Sequence, residues 1–271
     1  DFGCPHGWAV AMSSALERVE LLLGTAALER LAQARVMIAG LGAVGAMAAE
    51  SLVRSGVGHL VLVDFDELRA TNLNRHPFAA QSTLGQLKVH VAARFLRDVQ
   101  PGLDLTPLPL FLDADTAARV LAEQPCDVLL DAIDSLHPKT ELLLAARRAQ
   151  VPFILTCLGA ARRCDPARIT TADLAASHTC PLGRLLRKRL AKHGGSAGIR
   201  CVFSTEKPTP PAAALPTADF YVRGRLRPPL GSLHCVTATA GLRAAHEILT
   251  FLLAEKNGCR PPEASAILPE L

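Results

Sequence analysis

Val36-Met37-Ile38-Ala39-Gly40-Leu41-Gly42-Ala43-Val44-Gly45 is an apolar strand that runs directly into a G-x-G-x-x-G turn. Gly40 permits the tight bend and Gly42 lets the backbone approach a phosphate. Gly45 allows the following helix, Ala43 to Ser55, to pack closely on a sheet. The N–H groups at the start of that helix suit an anion. The next strand, His59 to Phe65, carries Asp64 near its end, placed to accept from ribose hydroxyls. Glycine-rich strand-to-helix turns also serve packing alone, so this stretch marks the start of a nucleotide fold without fixing the nucleotide.

Working outward, the chain departs from a dinucleotide oxidoreductase. Asp66, then Asn72-Leu73-Asn74-Arg75, then Lys88 on a predicted helix, then Asp131-Ala132-Ile133-Asp134-Ser135 follow in order. Hydride transfer uses no such cluster, and no catalytic His/Asp or Tyr/Lys arrangement comes after it. Guanidinium and ammonium groups neutralise phosphate oxygens and a carboxylate holds a hard cation, so the set suits ATP with Mg2+. Asn72 and Arg75 lie in a polar break with no packing reason to be there, and phosphate contact is their expected role.

Strand-GLGAVG, VDFD, TNLNR, the lysine near a helix start and DAIDS, in this order, resemble the adenylating family that includes ThiF, MoeB and the activating enzymes of ubiquitin-like proteins. The likeness spans residues 18 to 160. It implies that Lys88 is the phosphate lysine, that Asp134, beside Ser135, is the magnesium-linked acid, and that Asp131 is structural. It also implies that Arg18 enters the ATP site of a neighbouring subunit, which requires a homodimer. His76 stands where the family pattern continues with Gln, and Ala161 stands where relatives often have Gly.

The second half narrows the resemblance. Pro138-Lys139, Gly159 to Pro166, Cys201-Val202-Phe203-Ser204-Thr205-Glu206, Gly231-Ser232 and Val236-Thr237-Ala238-Thr239 resemble the tRNA threonylcarbamoyladenosine dehydratase branch, extending coverage to residue 254. That branch implies ATP activation of the threonyl carboxylate of a modified adenosine in tRNA, followed by ring closure and release of AMP. No protein nucleophile is required, although Cys180 lies beside His178 in sequence. A sulfur-relay protein is a further partner to consider, as is a monovalent ion near Cys201 to Glu206. Two alternatives stand beside this reading. One is adenylation of the C-terminal glycine of a ubiquitin-like sulfur carrier; the other is a non-catalytic nucleotide-binding scaffold.

Composition bounds these readings. At 271 residues and 28.8 kDa, with 49% apolar residues, the chain can bury one sizeable α/β core with an elaboration. A net charge of +4 and a pI of 8.7 fit an anionic ligand. Eight cysteines, at 4, 126, 157, 164, 180, 201, 235 and 259, include no Cys-x-x-Cys pair, so structural zinc is not expected and a reducing cytoplasm is. The longest apolar stretch, Leu242 to Ala254, contains Arg243, His246 and Glu247, so no membrane span is expected. Asp1 to Trp8 resembles no targeting segment, and Met12 is the expected natural start.

Periodicity predicts strands at 35–39, 59–65, 103–109, 127–132 and 152–156. Helices are predicted at 43–55, 85–99, 113–122 and 138–149. An earlier helix, capped by Ser13 or Ser14, would bury Leu16, Val19, Leu22 and Leu23 on one face and end at Gly24. Beyond Cys157 come a short strand at Ile169-Thr170-Thr171 and a helix from Leu182 to His193. A proline-rich loop at 207–218 follows, then Leu233 to Thr239 and a helix from Gly241. This is an α/β chain, a Rossmann-like doubly wound, mostly parallel sheet with an elaborated C-terminal half. Residues 1–17 form an N-terminal extension, 18–254 the adenylating domain and 255–271 a tail. Arg184, Arg187, Lys188, Arg189 and Lys192 share the polar side of the Leu182 helix. They are read either as a solvated face or as contacts to tRNA phosphates, with Arg162, Arg163 and Arg168 nearby.

Overall fold

The computed structural model describes residues 15–210 and 230–254. Strands β1 (Arg35–Ala39), β2 (His59–Val63), β3 (Asp104–Leu108), β4 (Val128–Asp131), β5 (Phe153–Cys157), β6 (Ile169–Asp173) and β7 (Arg200–Ser204) form one sheet in the order β3-β2-β1-β4-β5-β7-β6. All pairs are parallel except β6 with β7. The chain winds outward from β1 through β3 and then returns to β4 on the other side of β1. The strand order therefore reverses between β1 and β4, the position at which open α/β sheets place a ligand crevice, at the carboxyl ends of the strands.

Helices cover both faces, which is why the central strands read as unbroken apolar runs. In β1, Val36 and Ile38 point to one face, which is packed by α3 (Ala43–Arg54), α4 (Lys88–Val99) and α8 (His234–Leu253). Met37 and Ala39 point to the other, packed by α5 (Ala114–Glu123), α6 (Leu136–Arg148) and α7 (Pro181–Leu190). α3 and α8 cross closely because position 241 has no side chain. A Cβ at Gly241 would stand 2.6 Å from the Val44 carbonyl oxygen and 2.7 Å from Met47 Cβ. Phe153 and Phe251 stack with ring centroids 4.5 Å apart, joining the same helix to β5.

β7 was not predicted as a strand; most predicted elements appear within one to three residues of their expected bounds, with two differences. α8 starts at His234 and absorbs the segment 233–239. Its β-branched Val236 and Thr237 are buried on the face that continues through Ala240, Gly241, Ala244 and Ala245, so packing overrides strand propensity. The first helix, α1 (Glu17–Leu23), packs chiefly on α2 (Thr25–Gln33). Of its expected apolar face only Leu16, just before the helix, is buried. Leu21 and Leu22 are 80% and 81% exposed, because two helical turns anchored at one end offer no second surface in a single chain. The Ser13 or Ser14 cap, the first fourteen residues, the loop from 211 and the tail from 255 lie outside the described residues.

Candidate nucleotide and phosphate site

The turn after β1 is built by contacts that explain its glycines. Gly40 has φ +92°, and a Cβ there would meet the Ala132 carbonyl carbon at 2.8 Å and the Ile133 nitrogen at 2.9 Å. The turn after β1 thus lies directly against the turn after β4. A Cβ at Gly45 would collide with the carbonyl oxygen of Gly40, so this glycine serves the turn before it serves helix-to-sheet packing. At Gly42 a Cβ would meet nothing within 4 Å. No side chain caps the N-terminus of α3, whose first N–H groups lack intrahelical partners by construction. An uncapped helix start at a strand-order reversal has the geometry that suits an anion.

Asp64 braces this turn. One carboxylate oxygen accepts from the Leu41 N–H at 2.6 Å and the other from the Asp66 N–H at 2.8 Å. The group is 8% exposed, and burial pushes its pKa up while the Lys88 ammonium pulls it back. Lys88, the first residue of α4, donates to Asp66 Oδ2 at 2.9 Å and lies 4.0 Å from Asp64 Oδ1. A phosphate would join this lysine at an existing carboxylate pair.

The polar break 66–82 is a built arm. Asn72 Oδ1 accepts from the Arg69 N–H at 3.0 Å, and Arg75 Nη1 donates to the Thr71 carbonyl at 2.7 Å and to Asn74 Oδ1 at 3.1 Å. Two links tie the arm to the start of α8: Asn74 Nδ2 donates to the Ser232 carbonyl at 3.0 Å, and His234 Nδ1 donates to the Arg75 carbonyl at 3.0 Å. His76 ties it to the glycine turn. Its Nε2 donates to the Leu41 carbonyl at 2.8 Å, so Nδ1 is the acceptor for the Phe78 N–H at 3.2 Å. Burial lowers its pKa from 6.5 to about 4, which keeps the ring neutral.

Beyond β4, Asp134 is exposed and Ser135 Oγ donates to its Oδ1 at 3.3 Å. Asp131, fully buried, aims its Oδ1 at the Ile133 N–H at 3.1 Å. Its Oδ2 accepts from Lys139 Nζ and Thr156 Oγ1, both at 2.7 Å. Lys139 is also fully buried and donates to Thr156 at 2.9 Å. Burial pushes the Asp131 carboxyl up, and Lys139 opposes that shift most strongly. Asp131 is therefore the strut that turns the chain toward Asp134, as its structural reading anticipated.

Sequence reasoning quoted Lys139 only within a motif, and missed its buried pairing with Asp131 and the bridging part of His76. The signal for Lys139 was its place three and four residues before Leu142 and Leu143, on the apolar side of α6. Arg18 is exposed on α1. His178 bonds the Thr179 hydroxyl and stands edge-on to Phe203, while Cys180 is buried at the start of α7. Burial pushes the thiols of Cys126 and Cys157 up to about 12 and Cys201 to about 11, so these three are poor nucleophiles.

The order of these parts along the chain agrees with a known profile: that of the ThiF family matches residues 15–266. The chain belongs to the ThiF family. Among its relatives in that family, a tRNA threonylcarbamoyladenosine dehydratase of Bacillus subtilis (strain 168) is 36% identical over 191 residues, covering 70% of this chain and 74% of the relative. One of Escherichia coli (strain K12) is 34% identical over 247 residues, covering 86% and 91%. The crystal structure of E. coli tRNA N6-threonylcarbamoyladenosine dehydratase, TcdA, in complex with AMP superposes with a TM-score of 0.80 at 32% identity. It covers 90% of this chain and 96% of that one. The same ThiF-family enzyme in complex with ATP gives 0.79.

Proposed function

We propose that this ThiF-family chain is an ATP-dependent enzyme that cyclises threonylcarbamoyladenosine in tRNA. The observation that carries the reading is the juxtaposition across the β1/β4 crevice. The turn leading into the uncapped start of α3 packs on the turn leading to Asp134, with the Arg75 arm tied to the first of these turns by His76. Relatives named for this reaction, alignable along most of the chain, supply the substrate.

The threonyl carboxylate of the modified base attacks the α-phosphorus of ATP, forming an acyl-adenylate and expelling pyrophosphate. An internal nitrogen or oxygen of the same threonylcarbamoyl group then attacks the activated carbonyl. AMP leaves with one former carboxylate oxygen, so the base loses the elements of water. The residues read as nucleotide-binding are Gly40, Gly42, Gly45, Asp64, Asp66, Asn72, Arg75, Lys88, Asp134 and Ser135. Arg75 and Lys88 hold phosphate oxygens while charge accumulates there, and Asp64 keeps the glycine turn in shape. Asp134 would hold Mg2+, which would supply Lewis-acid polarisation of the phosphates. One exposed carboxylate fits this ion, since magnesium bound with phosphates retains several waters.

The enzyme is proposed to work as a homodimer in which Arg18 reaches the partner's phosphate site. The exposed Leu21 and Leu22 beside it support this, as a second subunit would cover them. Six described cysteines are all free thiols, in keeping with a cytoplasmic enzyme. A sulfur-relay protein is a further proposed partner. Nucleoside mass spectrometry of tRNA after incubation with enzyme, ATP and magnesium tests the reaction. Loss of 18 mass units from threonylcarbamoyladenosine (~18 for one water), with one AMP per event, is expected; AMP transfer to a carrier protein with unchanged tRNA would favour the sulfur-carrier alternative.

A further inference from the structure

We propose that the exposed face of α7 holds the sugar-phosphate backbone of the tRNA substrate. This rests on the tRNA reading above and goes beyond it by assigning a surface. Residues 174–205 contain six of the chain's 29 lysines and arginines and none of its 25 acids. The rest of the chain, with 23 basic and 25 acidic residues, carries a formal charge of −2, so the positive balance of the protein lies in this segment. Each of the other seven described helices carries at least one Asp or Glu, including α3, where Glu50 pairs with Arg54, and α8, where Glu247 pairs with Arg200. α7 carries only cations.

Its geometry makes that asymmetry usable. Gly183, Leu186 and Leu190 are buried against the sheet side, leaving Arg184, Lys188 and Arg189 exposed, with Lys192 just beyond. Arg184 and Lys188, then Lys188 and Lys192, follow at i,i+4 spacing, a mildly repulsive arrangement in an isolated helix. The helix dipole accounts for Arg187, Lys188 and Arg189 in the last turn but not for Arg184 near the start. A Cβ at Gly183 would stand 2.7 Å from Leu158, the residue after β5. The basic track therefore starts at the strand edge that carries the nucleotide crevice, and ten helical residues extend it by about 15 Å. A polyanion gripped there has its neighbouring nucleotides within reach of that edge. The expected contribution of Arg163 does not materialise: it is 3% exposed and bonded to the carbonyls of Gly159, Ala161 and Glu206. Arg168 is engaged with Asp165 at 3.2 Å.

The test compares wild type with Arg184→Glu/Lys188→Glu and with the milder Arg184→Gln/Lys188→Gln, using full-length tRNA. Wild-type conversion is established first, because its failure sinks the tRNA reading rather than the surface. Both variants should keep wild-type magnesium-ATP affinity, bind tRNA about tenfold or more weakly near about 0.1 M salt, and lose about 1 to 2 from the slope of log affinity against log salt. If the glutamate pair unfolds, the glutamine pair decides. Unchanged tRNA affinity and slope in a folded variant overturns the proposal, and so does a defect confined to a carrier protein.

Discussion

Asp134 and Lys88 would both serve phosphate chemistry, yet their surroundings predict different variants. Asp134 is exposed, so Asp134→Ala should leave Tm near wild type and lower AMP formation by roughly two to three orders of magnitude. Lys88→Ala should show a similar loss of turnover together with a lower Tm, because it strips the counter-charge from the buried Asp64. Wild-type turnover in either variant would mean the phosphate site lies elsewhere. His76 predicts a pH effect. In the unfolded chain it takes up a proton as pH falls through 6.5, whereas in the folded chain it stays neutral down to about 4. Its contribution is complete above the upper value and is lost as pH falls toward the lower one, by at most about 3 kcal/mol. Thermal melts between about pH 7 and 4.5 should fall more steeply for wild type than for His76→Gln, and parallel slopes would refute this role. The glycine turn was legible because a glycine-rich strand-to-helix turn is a local pattern, and Asp64 was legible as the acid at a strand end, but its brace on the Leu41 N–H was not. His76 and Lys139 were not, since their partners Leu41, Asp131 and Thr156 become neighbours only when separate strands assemble.

At the scale of elements, α1 and α8 carry the sharpest expectations. If Arg18 acts across a dimer, Arg18→Ala and Lys88→Ala should each be nearly inactive, and mixing them should restore up to about a quarter of wild-type turnover, as half of randomly paired dimers hold one intact site. No recovery with subunit exchange confirmed would place the arginine in its own subunit's chemistry or in none. Gly241→Leu would force α8 away from Val44 and Met47, with an expected cost of about 1 to 3 kcal/mol or more, read as a fall in denaturation midpoint. An unaltered midpoint would show that the crossing has slack. The parallel strands and helices 43–148 were readable because each repeats one strand-turn-helix pattern. The start of α8 was not, because its β-branched residues favour a strand locally and become helical only where they are buried on the face that continues through Ala240 and Gly241.

For the whole molecule, a site of cations and an exposed carboxylate should prefer magnesium-ATP to NAD, and calorimetry showing the reverse would dismiss adenylation altogether. The architecture also has a consequence in time. His234 bonds the Arg75 carbonyl across 159 residues, and α8 covers the helix that carries the glycine turn. A ribosome adding about 5 to 20 residues per second needs about 8 to 30 seconds between the two. Through that interval the nascent nucleotide half lacks its last wall, with apolar α3 surface open to solvent. Folding to a ligand-competent state thus waits for the synthesis of α8, and the early half is the portion that a holding chaperone would grasp.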